Sequence, residues 1–204
     1  MDWDEAMGGT QIEVLALTTS APVLAQRGAL DEAERRAELF VPRAREIGDP
    51  QTLAPALIAG ATIHALAGRM EEAMALVAEF EESTRERPNF RRVRLASALR
   101  VCALTGELEL ATTLEQGAEG SAAGLFTVTS AVAARAIVAE IAGKADEAEV
   151  AYREAAERWE EWGSLVERAY ALLGLGRLGD ATAGREGLAF FEQRGAVPLP
   201  ALAA

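Results

Sequence analysis

Apolar side chains recur with helical spacing in four segments of this chain, and each segment ends at a glycine. The apolar positions stand 11, 7 and 4 residues before Gly28, Gly68, Gly106 and Gly143. They are Leu17, Ala21, Leu24; Leu57, Ala61, His64; Leu95, Leu99, Cys102; and Val132, Ala136, Ala139. Eleven of the twelve are apolar, which is the pattern of one buried helix face. The spacing predicts that each of these helices packs through this face inside a hairpin.

Each of the four glycines is followed five residues later by an alanine, with acidic residues between them. The alanines are Ala33, Ala73, Ala111 and Ala148. Glycine adopts the left-handed conformation that ends a helix, and acids in the next first turn complement the helix dipole. The alanine lies one turn further on, where two antiparallel helices cross closely. Each copy therefore predicts a helix, a tight turn and a helix. The glycines lie 40, 38 and 37 residues apart, which is typical of helical-hairpin repeats.

The pattern predicts ten helices in a single repeat domain over 11–196, with tails at 1–10 and 197–204. The helices are expected at 11–26, 30–46, 52–66, 70–84, 90–104, 108–117, 125–141, 145–162, 165–178 and 181–194. Pro22 is expected to kink or restart the first helix after Ser20, because proline removes a hydrogen bond from the helix interior. Thr52 is predicted as an N-cap that leaves Pro55 in the first turn.

Composition narrows the classes of function. The chain has 204 residues and 50% apolar content, enough for one continuous solenoid core. Its net charge of −12 argues against nucleic acid, where phosphate neutralisation dominates affinity, and against anionic membranes. No apolar run reaches the roughly 20 residues that span a bilayer. One cysteine excludes an internal disulfide, and no secretory signal is evident. We therefore expect a cytoplasmic protein.

Several segments carry a resemblance to a known architecture. They are A-E-R-W-E-E-W-G (156–163), E-R-A-Y-A-L-L-G-L-G-R (167–177) and F-F-E-Q-R-G-A (190–196). With the repeat pattern, they resemble tetratricopeptide (TPR)-like arrays at the C-terminal ends of large bacterial signal-transduction ATPases and MalT-like transcriptional regulators. The resemblance implies an all-α, right-handed superhelix of antiparallel hairpins. The chain departs from the pattern at Leu110, where an acid is usual, and in its last hairpin. There Gly176–Ala181 and Gly179–Gly184 compete as the turn, and we expect that hairpin to be shortened.

The residues that invite a catalytic interpretation also have a structural one. His64 and Cys102, the only histidine and cysteine, share the core position four residues before a turn glycine. No second histidine is present to build a metal site, so we expect no catalytic residue, metal or cofactor. The glycines of segment 117–124 superficially resemble a phosphate loop, but this segment follows a helix and lacks the P-loop lysine. A flexible connection between repeats is favoured.

Two further groups leave alternatives open. Five arginines cluster around Pro88, and they are Arg85, Arg87, Arg91, Arg92 and Arg94. The cluster could bind an anion or a partner, or it could be neutralised in surface pairs by Glu79, Glu81, Glu82 and Glu86. Trp159 and Trp162 lie three residues apart on one helix. They are expected to anchor that helix in the core, the alternative being an exposed interface.

The best candidate for binding is a second helical stripe, which stands 13, 10, 6 and 3 residues before each glycine. In TPR-like arrays the first helix of each hairpin lines a concave groove, and six residues of this stripe are our candidate binding residues. They are Thr18, Ile58, Thr62, Arg100, Ile137 and Glu140. The stripe lacks the Lys/Asn/Arg set of carboxylate-clamp TPR proteins. It suits an amphipathic helix or an apolar ligand, unless superhelical coiling buries much of it.

Two functions follow as hypotheses. The first is a non-enzymatic protein- or peptide-binding module, part of or partner to a bacterial signalling or transcription regulator. The alternative is a small-molecule effector-sensing domain of such a regulator, as the resemblance implies. A deep closed cavity around Thr62 and Arg100 would favour sensing, and an open groove would favour a peptide. Because the terminal helices are apolar, we expect at least one end of the array to be covered, either by self-association or by another protein. A homodimer is favoured over a monomer.

Overall fold

A computed structural model describes residues 11–118 and 124–199, and within these ranges the fold is all-α. The ten helices are α1 Gln11–Gln26, α2 Leu30–Ile47, α3 Pro50–Leu66, α4 Met70–Thr84, α5 Pro88–Thr105, α6 Leu108–Gln116, α7 Leu125–Ile141, α8 Ala145–Trp162, α9 Leu165–Arg177 and α10 Ala181–Glu192. The described part of the chain contains no strand. None of these helices is both long enough and apolar enough to cross a membrane. The predicted all-α class is confirmed.

Helices that are consecutive in the chain form the hairpins, and the hairpins stack side by side. The pairs α1–α2, α3–α4, α5–α6, α7–α8 and α9–α10 each pack together. The first helices of the first four hairpins also stack in order, α1 on α3, α3 on α5 and α5 on α7. The last hairpin joins the array differently, because α9 packs on α8 and α10 but does not stack on α7 as the earlier first helices stack on one another.

The four turn glycines occupy equivalent structural positions, as the repeat spacing predicts. Gly28, Gly68, Gly106 and Gly143 all have a left-handed φ, between +72° and +84°. The residue after each glycine donates its backbone N–H to the carbonyl four residues before that glycine. Arg69, for example, donates to the His64 carbonyl at 2.8 Å. This closure satisfies a carbonyl that the helix end would otherwise leave unpaired.

The alanines that follow these glycines lie at close helix crossings, and the predicted core stripe lines the hairpin interiors. Ala33, Ala73, Ala111 and Ala148 are all fully buried. Of the twelve stripe positions, only Leu17, Leu24 and His64 are half-buried, and the others are buried. The core is therefore built from aliphatic side chains and alanines, which let neighbouring helices approach closely.

Replacing Ala73 with leucine is expected to lower the free energy of unfolding by about 1–3 kcal/mol, because extra methylenes overpack a filled core. Ala148→Leu should have a similar effect, since both alanines are fully buried. Denaturant titration followed by circular dichroism measures the change. Ala78, on the same helix as Ala73, is exposed, and Ala78→Leu is the matched control. Unchanged stability in both core variants would contradict the close crossing.

Two helix boundaries predicted from the sequence are wrong. α1 runs through Pro22 without interruption, so the helix does not restart there. Packing of α1 on α2 and α3 outweighs the one hydrogen bond that proline removes, since tertiary packing supplies most helix stability in proteins. Thr52 is not an N-cap but lies fully buried inside α3. Asp49 caps this helix instead, its Oδ1 accepting the Gln51 N–H at 2.8 Å.

The last hairpin turns at Gly179, whose φ is +109°, so Gly179–Gly184 is the copy that forms the turn. Gly176 lies inside α9 and contacts α10 directly. A Cβ added to Gly176 would lie 2.6 Å from the Gly184 Cα. The helices of this hairpin have 13 and 12 residues, so it is shortened as predicted.

The segment after α10 returns to the start of the array. The Val197 N–H donates to the Gln26 carbonyl at 2.7 Å, and the Gln26 Nε2 donates to the Tyr170 hydroxyl at 3.1 Å. Pro198 and Leu199 are buried. Residues 197–199, predicted to begin a tail, therefore pack on the body and connect its two ends. The rest of both predicted tails lies outside the described residues.

Candidate functional site

The concave face of the array forms a partly open cavity of about 250 Å³, which we call the central cavity. α1, α3 and α5 form one side of it, and α9 with Leu199 forms the other. The lining residues are Thr18, Thr19, Pro22 and Gln26 of α1; Pro55, Ile58, Ala59 and Thr62 of α3; Arg94, Ser97 and Arg100 of α5; Val166, Glu167 and Tyr170 of α9; and Leu199. The side formed by α9 and Leu199 exists because the last hairpin and the C-terminal segment reach back to α1.

The structure brings four of the six candidate binding residues together. Thr18, Ile58, Thr62 and Arg100 all line the central cavity. Ile137 and Glu140 lie beyond it on α7, beside a second, smaller cavity that α5, α7, α8 and α9 enclose. Much of the second helical stripe, which is predicted to line a groove, is buried. This agrees with the alternative that superhelical coiling buries it. The concave face is therefore a partly enclosed cavity, open to solvent beside exposed Thr19 and Val166.

A buried ion pair crosses the array at the edge of the central cavity. The Arg100 guanidinium donates to both Glu167 carboxylate oxygens, at 2.8 and 2.9 Å. The two side chains are only 8% and 19% exposed. The guanidinium also lies over the Tyr170 ring, 4.2 Å from its centroid, in cation–π geometry. Burial opposes the charge of Arg100, but the Glu167 carboxylate outweighs it and raises the pKa of Arg100. This pair ties α5 to α9.

A second buried pair explains Glu140. Its two carboxylate oxygens accept from the Arg177 Nε and Nη2 at 2.6 and 2.8 Å. The Tyr152 hydroxyl donates to the same carboxylate at 2.5 Å, and burial with the Glu140 charge raises the pKa of that tyrosine. Glu140 therefore connects α7, α8 and the end of α9, which is a structural role that leaves the carboxylate fully engaged.

Two polar groups in the wall of the central cavity have no partner among the residues that the structure describes. Thr18 is 6% exposed, and its hydroxyl forms no hydrogen bond with any of them. Arg94 forms no hydrogen bond or ion pair with any residue that the structure describes. Its surroundings desolvate the guanidinium and lower the pKa of Arg94, an effect that the more distant Glu167 partly offsets. Buried polar groups are normally satisfied, so the buried Thr18 hydroxyl has room for a partner, whereas Arg94 is exposed and can pair with an anion.

The arginine cluster around Pro88 does not form one basic surface. Arg91 is 1% exposed, and its Nη2 donates to the Glu81 carbonyl at 2.7 Å. Arg92 is buried as well, with its Nε donating to the Ala118 carbonyl at 2.6 Å. Arg85 forms the kind of surface pair expected, with Glu81 at 2.9 Å. Arg91 and Arg92 therefore form buried structural contacts, which the sequence did not predict. Arg94 faces the central cavity.

His64 and Cys102 lie apart from the central cavity, at the inner faces of their hairpins. Cys102 is fully buried, and burial raises its thiol pKa to about 12. His64 is half-buried, and burial lowers its pKa. Within the described ranges, no three His, Cys, Asp or Glu side chains are grouped as a metal site requires. Trp159 is buried as expected, whereas Trp162 is 48% exposed. The glycine-rich segment lies largely outside the described residues.

The Cys102 thiol is expected to react with a maleimide reagent at least about a hundredfold more slowly in the native protein than in denaturant. The reason is that only the thiolate is nucleophilic, and burial both blocks access and disfavours ionisation. Stopped-flow labelling near neutral pH measures both rates. Native labelling as fast as in denaturant would show that the thiol is accessible and would contradict its core position.

Comparison with known proteins assigns no family or function to this chain. No protein-family model matches the chain, and a search of curated proteins finds no significant match. The likeness to TPR-like regulators therefore stays a resemblance carried by the repeat pattern. What the chain does has to be argued from the cavity itself.

Proposed function

We propose that this chain is a small-molecule binding module, the effector-sensing domain of a bacterial regulator, and that its ligand occupies the central cavity. The partial enclosure of the concave face carries this proposal. Thr62 and Arg100 lie in the wall of a partly open cavity of about 250 Å³, close to the lower end of ligand cavities at roughly 300–1,000 Å³. The lining combines apolar side chains, such as Ile58 and Val166, with polar and charged groups that can fix the orientation of a ligand.

The same geometry disfavours a peptide in the concave face. An α-helix with its side chains is about 10–12 Å wide and needs an open groove. Here Val166 and Tyr170 of α9, together with Leu199, occupy the side from which such a helix would enter. Binding of a peptide would require the last hairpin to move away from α1 and break the Gln26 contacts.

The geometry also favours binding over catalysis. The carboxylates of Glu167 and Glu140 each accept two hydrogen bonds from an arginine. A carboxylate whose two oxygens are both engaged by an arginine is not free to contact a substrate and exchange a proton with it. We therefore propose that the chain is a cytoplasmic receptor domain, with no catalytic residue, cofactor or nucleic-acid partner. Its resemblance to MalT-like arrays suggests that a larger regulator responds to its occupancy.

Cavity occupancy can be tested by thermal denaturation of the full chain against a metabolite library. A ligand that binds only the folded state raises the melting temperature. Val166 lines the cavity and is 45% exposed, so Val166→Trp should fill the space and abolish the shifts. Val150 on α8 is 69% exposed away from the cavity, and Val150→Trp should retain them. Shifts that persist in Val166→Trp, or a library without any shift, would contradict the proposal.

A protein interface at the first hairpin is a second candidate, and it is compatible with the first. Ile12 of α1 and Leu39 of α2 are 67% and 66% exposed, and an apolar surface groove follows α1 past Val23. Exposed apolar side chains at the end of a repeat array favour a partner. We propose a homodimer or a protein partner at this end. Light scattering after size exclusion should give twice 21.6 kDa for the homodimer, and Ile12→Asp should give the monomer.

A further inference from the structure

We infer that the ligand of the central cavity is a small organic carboxylate with one negative charge, bound by Arg94 and hydrogen-bonded by Thr18 through a second polar group. This inference rests on the proposed function, which requires only that some small molecule occupies the cavity. It adds the chemical class of that molecule and the residues that select it.

The charges in the cavity wall indicate an anion. Three charged side chains line the cavity, Arg94, Arg100 and Glu167, and their formal sum is one positive charge. Arg100 and Glu167 neutralise each other in a bidentate pair, so the uncompensated charge is that of Arg94. The chain as a whole carries a net charge of −12, which makes a positive cavity a local departure from the rest of the molecule.

Arg94 is placed to receive a carboxylate. Arg94 is exposed, and within the described ranges its guanidinium has no hydrogen-bond or ion-pair partner. An anion that enters the cavity can therefore pair with Arg94 without displacing another group. Guanidinium groups bind carboxylates through two parallel hydrogen bonds. The neighbouring Ser97 hydroxyl is already engaged, as it accepts from the Arg100 Nη2 at 3.1 Å.

Thr18 supplies the second point of recognition. Its buried hydroxyl lacks a partner, whereas the Thr62 hydroxyl donates to the Ile58 carbonyl at 2.8 Å. Thr18 lies on α1 and Arg94 on α5, and α3 packs between these two helices. A ligand that meets both residues therefore spans the cavity and crosses the apolar surface of Ile58. This arrangement fits a carboxylate at one end, an apolar middle, and a hydroxyl or carbonyl at the other end.

The size of the charge favours a carboxylate over a phosphate. A phosphate monoester carries about −1.5 to −2 charges at neutral pH, and one guanidinium would leave part of that charge uncompensated. The excess would lie in the same cavity as the Glu167 carboxylate, where like charges repel strongly because water is partly excluded. A monoanion matches the single uncompensated arginine.

The test uses the full chain and defined probes in isothermal titration calorimetry. The probes are 6-hydroxyhexanoate, its amide, hexanoate and inorganic phosphate. We expect 6-hydroxyhexanoate to bind at least roughly tenfold more tightly than its amide, since the amide lacks the charge that Arg94 pairs with. Phosphate should bind more weakly than either acid.

Two variants and a control assign the contacts. Arg94→Gln should weaken binding of both acids roughly tenfold or more and leave the amide unaffected. Thr18→Val, of nearly the same volume, should weaken 6-hydroxyhexanoate several-fold and leave hexanoate unaffected. Arg35 is 69% exposed on α2, and Arg35→Gln should bind every probe as the wild type does.

The outcomes separate this inference from the proposed function. Equal affinity for acid and amide, unchanged acid binding in Arg94→Gln, preference for phosphate, or no binding of the acids at millimolar concentration would overturn the carboxylate assignment. If library compounds of other chemistry still bind, and Val166→Trp abolishes their binding, the proposed function stands while this inference fails. If no compound of any charge binds in the cavity, both fail.

Discussion

Replacing Glu167 with glutamine is expected to lower the free energy of unfolding by about 3–5 kcal/mol. The substitution keeps the shape of the side chain but removes its charge, which leaves the Arg100 guanidinium buried without a counter-charge. Arg100 is 8% exposed in the folded protein, so bulk water reaches it poorly. The Ser97 hydroxyl, which accepts from the Arg100 Nη2 at 3.1 Å, and the Tyr170 ring, 4.2 Å away, would still stabilise the cation, but they contribute much less than a bidentate carboxylate.

Urea denaturation of the wild type and the variant measures this effect, and the chain contains a matched control. Arg45 and Glu79 also form a bidentate pair between two helices, at 2.8 and 2.6 Å, but they are 46% and 33% exposed. Glu79→Gln should therefore cost no more than about 1 kcal/mol. Equal losses in the two variants would show that burial does not set the strength of the Arg100–Glu167 pair.

A double variant tests whether the uncompensated charge causes the expected loss. Replacing both partners, as Arg100→Met with Glu167→Leu, removes the buried charges together and should be less destabilising than Glu167→Gln alone. If the double variant is the least stable of the set, the loss of stability in Glu167→Gln does not come from the uncompensated charge of Arg100 alone.

Gly184→Val is expected to reduce the free energy of unfolding by about 3 kcal/mol or more, the upper end of the range for overpacked cores. A Cβ at Gly184 would lie 2.9 Å from the Gly176 Cα. The obstacle is backbone, which cannot rotate away as a flexible side chain does, so α9 and α10 would have to separate. Their separation would also disturb the wall of the central cavity that α9 supplies.

Thermal unfolding by calorimetry measures this loss. Arg185, next to Gly184 on α10, is exposed, and Arg185→Val controls for the lower helix propensity of valine, which accounts for less than about 1 kcal/mol. A Gly184→Val protein as stable as the Arg185→Val control would show that α9 and α10 do not meet through these glycines.

The helices were predictable because their signals are local. A glycine with φ near +75° at Gly68 or Gly143 needs no long-range partner to end a helix, and the 3.6-residue period reports a buried face directly. Predictions failed where several local signals competed. At α3 both Asp49 and Thr52 could cap the helix, and Asp49 prevails since it directly precedes Pro50 at the first helical position. At Pro22, the packing of α1 on its neighbours outweighs the low helix propensity of proline, and the helix continues.

The candidate site was predictable only on the side that the repeats build. Thr18, Thr62 and Arg100 follow from the second stripe because each stands at a fixed distance before a turn glycine. Arg94 was overlooked because it lies one residue beside that stripe and was counted with the arginines around Pro88. Its place in the wall depends on how α5 is rotated within the array, which no local pattern reports.

By itself the sequence determined the all-α class, the hairpin turns and which helix faces are buried. These properties depend on neighbours within about one helical turn, where glycine conformation and side-chain period act directly. Only the tertiary structure decided that the concave face is a partly enclosed cavity. Its closure depends on Glu167 reaching Arg100 and on Val197 and Tyr170 reaching Gln26. Residues so distant in the chain meet only when the stacked hairpins curve far enough, and that curvature is the sum of many small packing angles rather than a property of any one segment.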